Sequence, residues 1–169
     1  RSSDLPLKGI ARIEGSFRGW NLGLGELALL FMVEGASCSF GGRDDITFLG
    51  EKWHVKKIEK SRSARMGTAS LTAYATSELC HRLCAIDLQF GSKITNKLLK
   101  KHEKAIVATF GSVQNVKRML REECLAREFS ACAGVCAFDL HGDTVEFFRQ
   151  EHIDCTSCTQ GRYEIKVVR

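Results

Sequence analysis

A strand-like stretch, a serine and an amphipathic helix follow one another at residues 69–88, and the same succession returns at 105–124. The two serines, Ser77 and Ser112, lie 35 residues apart. In the first copy "ASLTAYAT" alternates Leu71, Ala73 and Ala75 with Thr72, Tyr74 and Thr76, the period of a strand. Ser77 is then placed to cap "SELCHRLCAIDL", whose stripe is Leu79, Cys80, Leu83, Cys84 and Ile86. In the second copy "KAIVATF" reads as the strand, and Ser112 opens a helix with Val113, Val116, Met119, Leu120 and Cys124 on one face. The residues do not align, so the repetition is one of shape.

Around this pattern the rest of the chain falls into place. A mostly apolar helix over 24–33 is entered through "GWNLGLGE" and followed by Gly35. "SCSF", "ITFLG" and "KWHVKKI" are strand candidates, and "KITNKLL" joins "KAIVATF" through the turn-prone "KKHE". Residues 24–124 therefore read α-β-β-α-β-β-α. The expected fold class is α+β, with helices on one face of a curved antiparallel sheet whose other face is free. The end of the chain differs. "AFDLH" and "TVEFFRQ" flank "GD" as a hairpin, and "RYEIKVV" reads as a further strand. The expected organisation is a core at 1–129 and a small cysteine-paired β tail at 130–169.

The 169 residues suffice for a buried core. No apolar run approaches the ~18 residues that span a bilayer, and "RSSDLPLKG" lacks the apolar centre of a secretory signal. The net charge of +5 is unevenly spread. "EKWHVKKIEKSRSAR" contains Lys52, Lys56, Lys57, Lys60, Arg62 and Arg65, and "KITNKLLKKHEK" contains Lys93, Lys97, Lys100, Lys101 and Lys104. Both clusters fall on expected strand pairs, where cations on a free sheet suit a polyanion, with duplex DNA favoured. A solvated lysine-rich surface is the plainer reading.

Eight cysteines are too few for a disulfide-built miniprotein and suggest reduced thiols in an intracellular compartment. Cys132-x3-Cys136 and Cys155-x2-Cys158 resemble the two knuckles of a zinc ribbon, which implies one structural Zn²⁺. His141, His152 and Cys124 are alternative ligands, and four buried thiols are the simpler account. Cys80 and Cys84 share one helical face with leucines and read as core. Cys38 and His54 lie on neighbouring strand candidates, but no third residue orients them as a nucleophile and base.

"LALLFMVEG", residues 27–35, resembles the nine-residue signature of the LAGLIDADG homing endonucleases. Leu27, Ala28, Leu30 and Gly35 match, Glu34 occupies the acidic eighth position, and "CSF" follows where that family continues into its first strand. Leu29 stands where the family has Gly, and Val33 where it prefers a small residue. The family fold is αββαββα. The resemblance implies a homodimer in which two such helices pair, with Glu34 as the catalytic ligand of Mg²⁺ at the scissile phosphate. The expected function is then a metal-dependent, site-specific DNA endonuclease. The alternative is a non-catalytic nucleic-acid-binding zinc protein, which the bulk of Leu29 and Val33 favours.

Overall fold

The computed structural model describes residues 29–30, 33–38, 46–58, 62–66, 75–139, 144–159 and 162–168. The strands are β1 (Ile46–Phe48), β2 (Glu51–Lys57), β3 (Ser63–Met66), β4 (Lys93–Ile94), β5 (Gly134–Asp139), β6 (Thr144–Arg149), β7 (Ile153–Thr159) and β8 (Arg162–Val167). The helices are α1 (Glu78–Cys84), α2 (Asn96–Lys101), α3 (Glu103–Phe110) and α4 (Val113–Glu128). The chain is an α+β protein. It divides into two compact units interleaved in sequence, residues 1–61 with 131–152, and residues 62–130 with 153–169. The segment 130–169, expected as one tail, is thus shared between them.

The first unit holds a sheet in the order β1-β2-β5-β6. β1 and β2 form a hairpin closed by Leu49 and Gly50, both at positive φ (52° and 77°), the backbone of a tight two-residue turn. β5 then joins β2 in parallel, Trp53 facing Gly134, and β6 returns antiparallel to β5. The close approach at Gly134 leaves no room for a side chain, because a Cβ there would run into the Phe148 carbonyl. One sheet face carries an apolar cluster of Leu29, Ile46, Trp53, Val55, Cys136 and Phe138. Arg149 clamps Glu51 with two hydrogen bonds of 2.9 and 2.8 Å, tying β6 to the start of β2.

The second unit holds an antiparallel sheet in the order β3-β8-β7-β4. β8 alternates strictly, with Tyr163, Ile165 and Val167 buried and the residues between them exposed. α4 is joined to this sheet by the Tyr163 hydroxyl, which donates to Glu123 Oε1 at 2.8 Å, and by Arg121 Nε, which donates to the Ile153 carbonyl at 2.8 Å.

Both expected capping serines act as caps. Ser77 Oγ accepts from the Cys80 amide at 3.1 Å, and Ser112 Oγ accepts from the Asn115 amide at 3.0 Å. The second expected strand pair is corrected. Residues 96–110 form α2 and α3, leaving only Lys93–Ile94 as strand. Thr95 Oγ1 caps α2 by accepting from the Leu98 amide at 3.2 Å. Leu98, Ile106 and Phe110 then bury a face at helical spacing, and Gly111 at φ 79° ends it. β7, over "IDCTSCT", is a strand that no sequence pattern had announced. Most of the first helix, at 24–33, and of "ASLTAYAT" lies outside the described residues.

Candidate nucleic-acid interface

The positive charge of the chain belongs to one unit. Residues 62–130 and 153–169 contain fifteen Lys and Arg against eight Asp and Glu, a balance of +7. The remainder contains ten against twelve, a balance of −2, and the two together give +5. The net positive charge that would attract a polyanion therefore lies on the second unit.

Within that unit the cations gather on α4 and beside it. Val116, Leu120 and Cys124 bury one side of the helix. Gln114, Lys117, Arg118 and Arg121 follow the i, i+3, i+4, i+7 spacing of another face. A cleft of about 430 Å³ is lined by these four together with Asn96, Asn115, Asp154, Cys155 and Thr156. A second, of about 400 Å³, is lined by Asn96, Leu99, Lys100, Glu103, Val113 and Lys117. The two share Asn96 and Lys117, so they adjoin across the first turns of α4.

Some of these side chains are already engaged. Arg118 pairs with Glu122 at 2.8 Å, Asn115 Nδ2 donates to the Phe110 carbonyl at 2.8 Å, and Arg121 holds β7 as described. Lys101 lies 3.6 Å from Asp87, which also meets His102 Nε2 at 2.9 Å. The Asp87 carboxyl is held below its usual range, chiefly by the Gln89 backbone N–H and further by Lys101 and His102. The side chains of Lys93, Lys97, Lys100, Lys104 and Lys117 make no hydrogen bond or ion pair with another described residue. An unengaged ammonium on a concave surface is what a phosphodiester needs.

The expected first cluster is split. Lys52, Lys56 and Lys57 lie on β2 of the first unit, Lys60 falls outside the described residues, and Arg62 and Arg65 belong to the second unit. The second cluster stays together, on β4, α2 and α3 instead of a strand pair. The α4 face was missed because its helix was read from the apolar side alone. "QNVKRMLR" carries the signal, an amide and three cations at helical spacing.

Glu34 is exposed, just before Gly35 at φ 82°. Leu29 is fully buried in the apolar cluster of the first unit, and Val33 packs against the same cluster. The face on which the family pairs its helices is thus turned onto this chain's own sheet.

Cys132 and Cys136 belong to the first unit, Cys155 and Cys158 to the second. Cys136 lies in the apolar cluster, and burial pushes its thiol up to about 12. The Cys124 thiol of α4 is raised by the neighbouring Cys155 thiol and by burial, and Cys155 Sγ donates to the Ser157 carbonyl at 3.6 Å. Among the described residues no three His, Cys, Asp or Glu side chains are arranged to hold a metal ion. His152 is exposed, and His141 falls outside the described residues. Cys80 and Cys84 stand with their sulfurs 3.8 Å apart beside buried Leu79 and Leu83. Cys38 packs on the Trp53 and Val55 side of the first sheet. His54 lies between those two residues on β2, at a position that strand alternation places on the other face.

The chain is an α+β protein with one basic unit. No helix among the described residues is long and apolar enough to cross a membrane. Comparison with protein-family models, curated proteins and solved structures returns no match.

Proposed function

We propose that this chain is a nucleic-acid-binding module that grips the phosphate backbone with its second unit, along the clefts beside α4. The observation that carries the reading is that Lys100 and Lys117, whose side chains no described residue engages, line those clefts in a unit of +7, while the other unit carries −2. Gln114, Asn115 and Arg118 add the side-chain types that distinguish bases by hydrogen bonding. Lys100→Ala with Lys117→Ala and Arg118→Ala removes three exposed or half-exposed cations without touching the core. Affinity should fall at least tenfold, and the slope of log K against log salt should flatten by roughly two to three, one counterion per lost phosphate contact. Unchanged affinity and slope would refute the reading.

The resemblance at 27–35 adds cleavage through Mg²⁺ on Glu34. One carboxylate does not build such a site, and the pairing that would bring a second is on the face Leu29 and Val33 bury in the chain's own sheet. The binding reading therefore stands without a cleavage step and without a dimer through that helix. Glu34→Gln should leave nucleic-acid affinity within twofold, and Mg²⁺ should produce no cut ends. Cutting by the wild type that the variant loses would restore the nuclease.

A further inference from the structure

The second unit has another cationic surface, on the side of its sheet whose residues alternate outward. Strand register sets Arg65 of β3 beside Glu164 of β8, and Arg162 beside Thr159 of β7. Together with Ser157 these line a concavity of about 280 Å³. The Ser157 hydroxyl donates to Glu164 Oε2 at 3.1 Å. The side chain of neither Arg65 nor Arg162 makes a hydrogen bond or ion pair with another described residue. Guanidinium groups that serve a fold direct their donors to carbonyls or carboxylates. Two on neighbouring strands, with no side-chain donor engaged by a described residue, are suited to an external partner.

β7 connects this surface to the α4 clefts. β4 pairs with β7 only at Cys158 and Thr159, so among the described residues no strand lies beside Asp154 to Ser157 on that side, while the Ile153 carbonyl is taken by Arg121 of α4. A bulge interrupts the register between Cys155 and Ser157, which turns successive side chains in different directions. Asp154, Cys155 and Thr156 line the α4 cleft, whereas Ser157 and Thr159 line the outer concavity. The two sites thus meet at consecutive residues, about 3.8 Å apart at Cα.

Resting on the nucleic-acid reading above, we propose that the polymer bound is single-stranded, its backbone running beside α4, turning round the open edge of β7 and continuing over Arg162 and Arg65. A duplex has a persistence length of about 50 nm and cannot turn round one strand edge. A single strand can, and its unstacked bases can lie on guanidinium planes. Glu164 then has a role among the arginines, as an acceptor for an exocyclic amino group.

The test is fluorescence anisotropy on the full chain with a labelled 30-nucleotide single strand and the blunt duplex of the same sequence. The single strand should bind at least about tenfold more tightly, a preference of roughly 1.4 kcal/mol. Arg65→Ala with Arg162→Ala should lower single-strand affinity about tenfold and leave duplex affinity within twofold, whereas Lys117→Ala with Arg118→Ala should weaken both. Duplex bound as tightly as single strand, or an Arg65/Arg162 variant that matches the wild type on single strand, would overturn the inference and leave the nucleic-acid reading standing. A wild type that binds neither would overturn both.

Discussion

Leu49 occupies the turn between β1 and β2 at φ 52° with 81 % of its surface exposed. A branched apolar side chain gains nothing there and bears the steric cost of a left-handed backbone, about 1 kcal/mol. Asn is tolerated in that conformation and precedes Gly in the favoured two-residue turn. Leu49→Asn should therefore stabilise the protein by about 1 kcal/mol, read as a higher urea midpoint at unchanged slope. Cys136 gives a second residue-scale expectation. Its thiol is pushed up to about 12 in the folded chain by burial, from about 8.5 in an unfolded one. The neutral form is favoured on folding, so this contribution is complete below pH of about 8.5 and is lost as pH rises toward 12. Under reducing conditions stability should fall with pH in that window, by on the order of 1 kcal/mol for the first unit of pH. Cys136→Val should make the fall shallower. An identical pH profile in the variant would show that burial of this thiol is not its cause.

At the scale of elements, capping residues carry more information than residue preference. Ser77 and Ser112 could be read because a hydroxyl before an apolar-periodic run has one strong structural use, which is to accept the third amide of a helix. Ser112→Ala should cost about 1 kcal/mol, and Ser112→Asp should restore it, as thermal unfolding will show. The stretch "KAIVATF" misled because Ile106, Val107 and Thr109 are β-branched, and that preference is weak beside context. Its true signal was the four-residue spacing of His102, Ile106 and Phe110 into the half-buried and buried side of α3. β7 escaped notice because "IDCTSCT" mixes small polar residues and thiols without clean alternation, and its bulge disturbs what alternation there is. The candidate interface was half visible. Lys93, Lys97, Lys100 and Lys104 stood out as a charge run, while Lys117, Arg118 and Arg121 were diluted by the acids and apolar residues of α4.

For the whole molecule, the two interleaved units matter more than the expected boundary at 129/130. β5 is an interior strand of the first sheet, and β7 and β8 are the interior strands of the second. A chain ending at residue 130 keeps the β1–β2 hairpin without its third and fourth strands, and keeps β3 and β4 with nothing between them. Isolated two-stranded pieces are marginal in water. Residues 1–130 should therefore lack a cooperative unfolding transition, although they contain every helix named above. A sharp calorimetric transition for that fragment would show that α1 to α4 form a core without the second sheet. Salt bears on the molecule at the same scale. Self-repulsion within a unit of +7 is screened over roughly 8 Å at physiological ionic strength, so added salt should raise its stability while it weakens binding.

The shared strands also set the order of events on the ribosome. β2 leaves the exit tunnel with β1, but its parallel neighbour β5 lies beyond all four helices, some 75 residues downstream. At about 5–20 residues per second the hairpin waits several seconds with one edge unpaired. β3 waits longer, because β8 is made roughly a hundred residues after it. Two unfinished sheets therefore coexist on the nascent chain, each offering backbone donors and acceptors to any strand that reaches them. Slower translation lengthens this exposure, and binding by a holdase during synthesis shortens it. Yield of this chain is accordingly expected to depend on elongation rate and chaperone supply more than its folded stability alone would suggest.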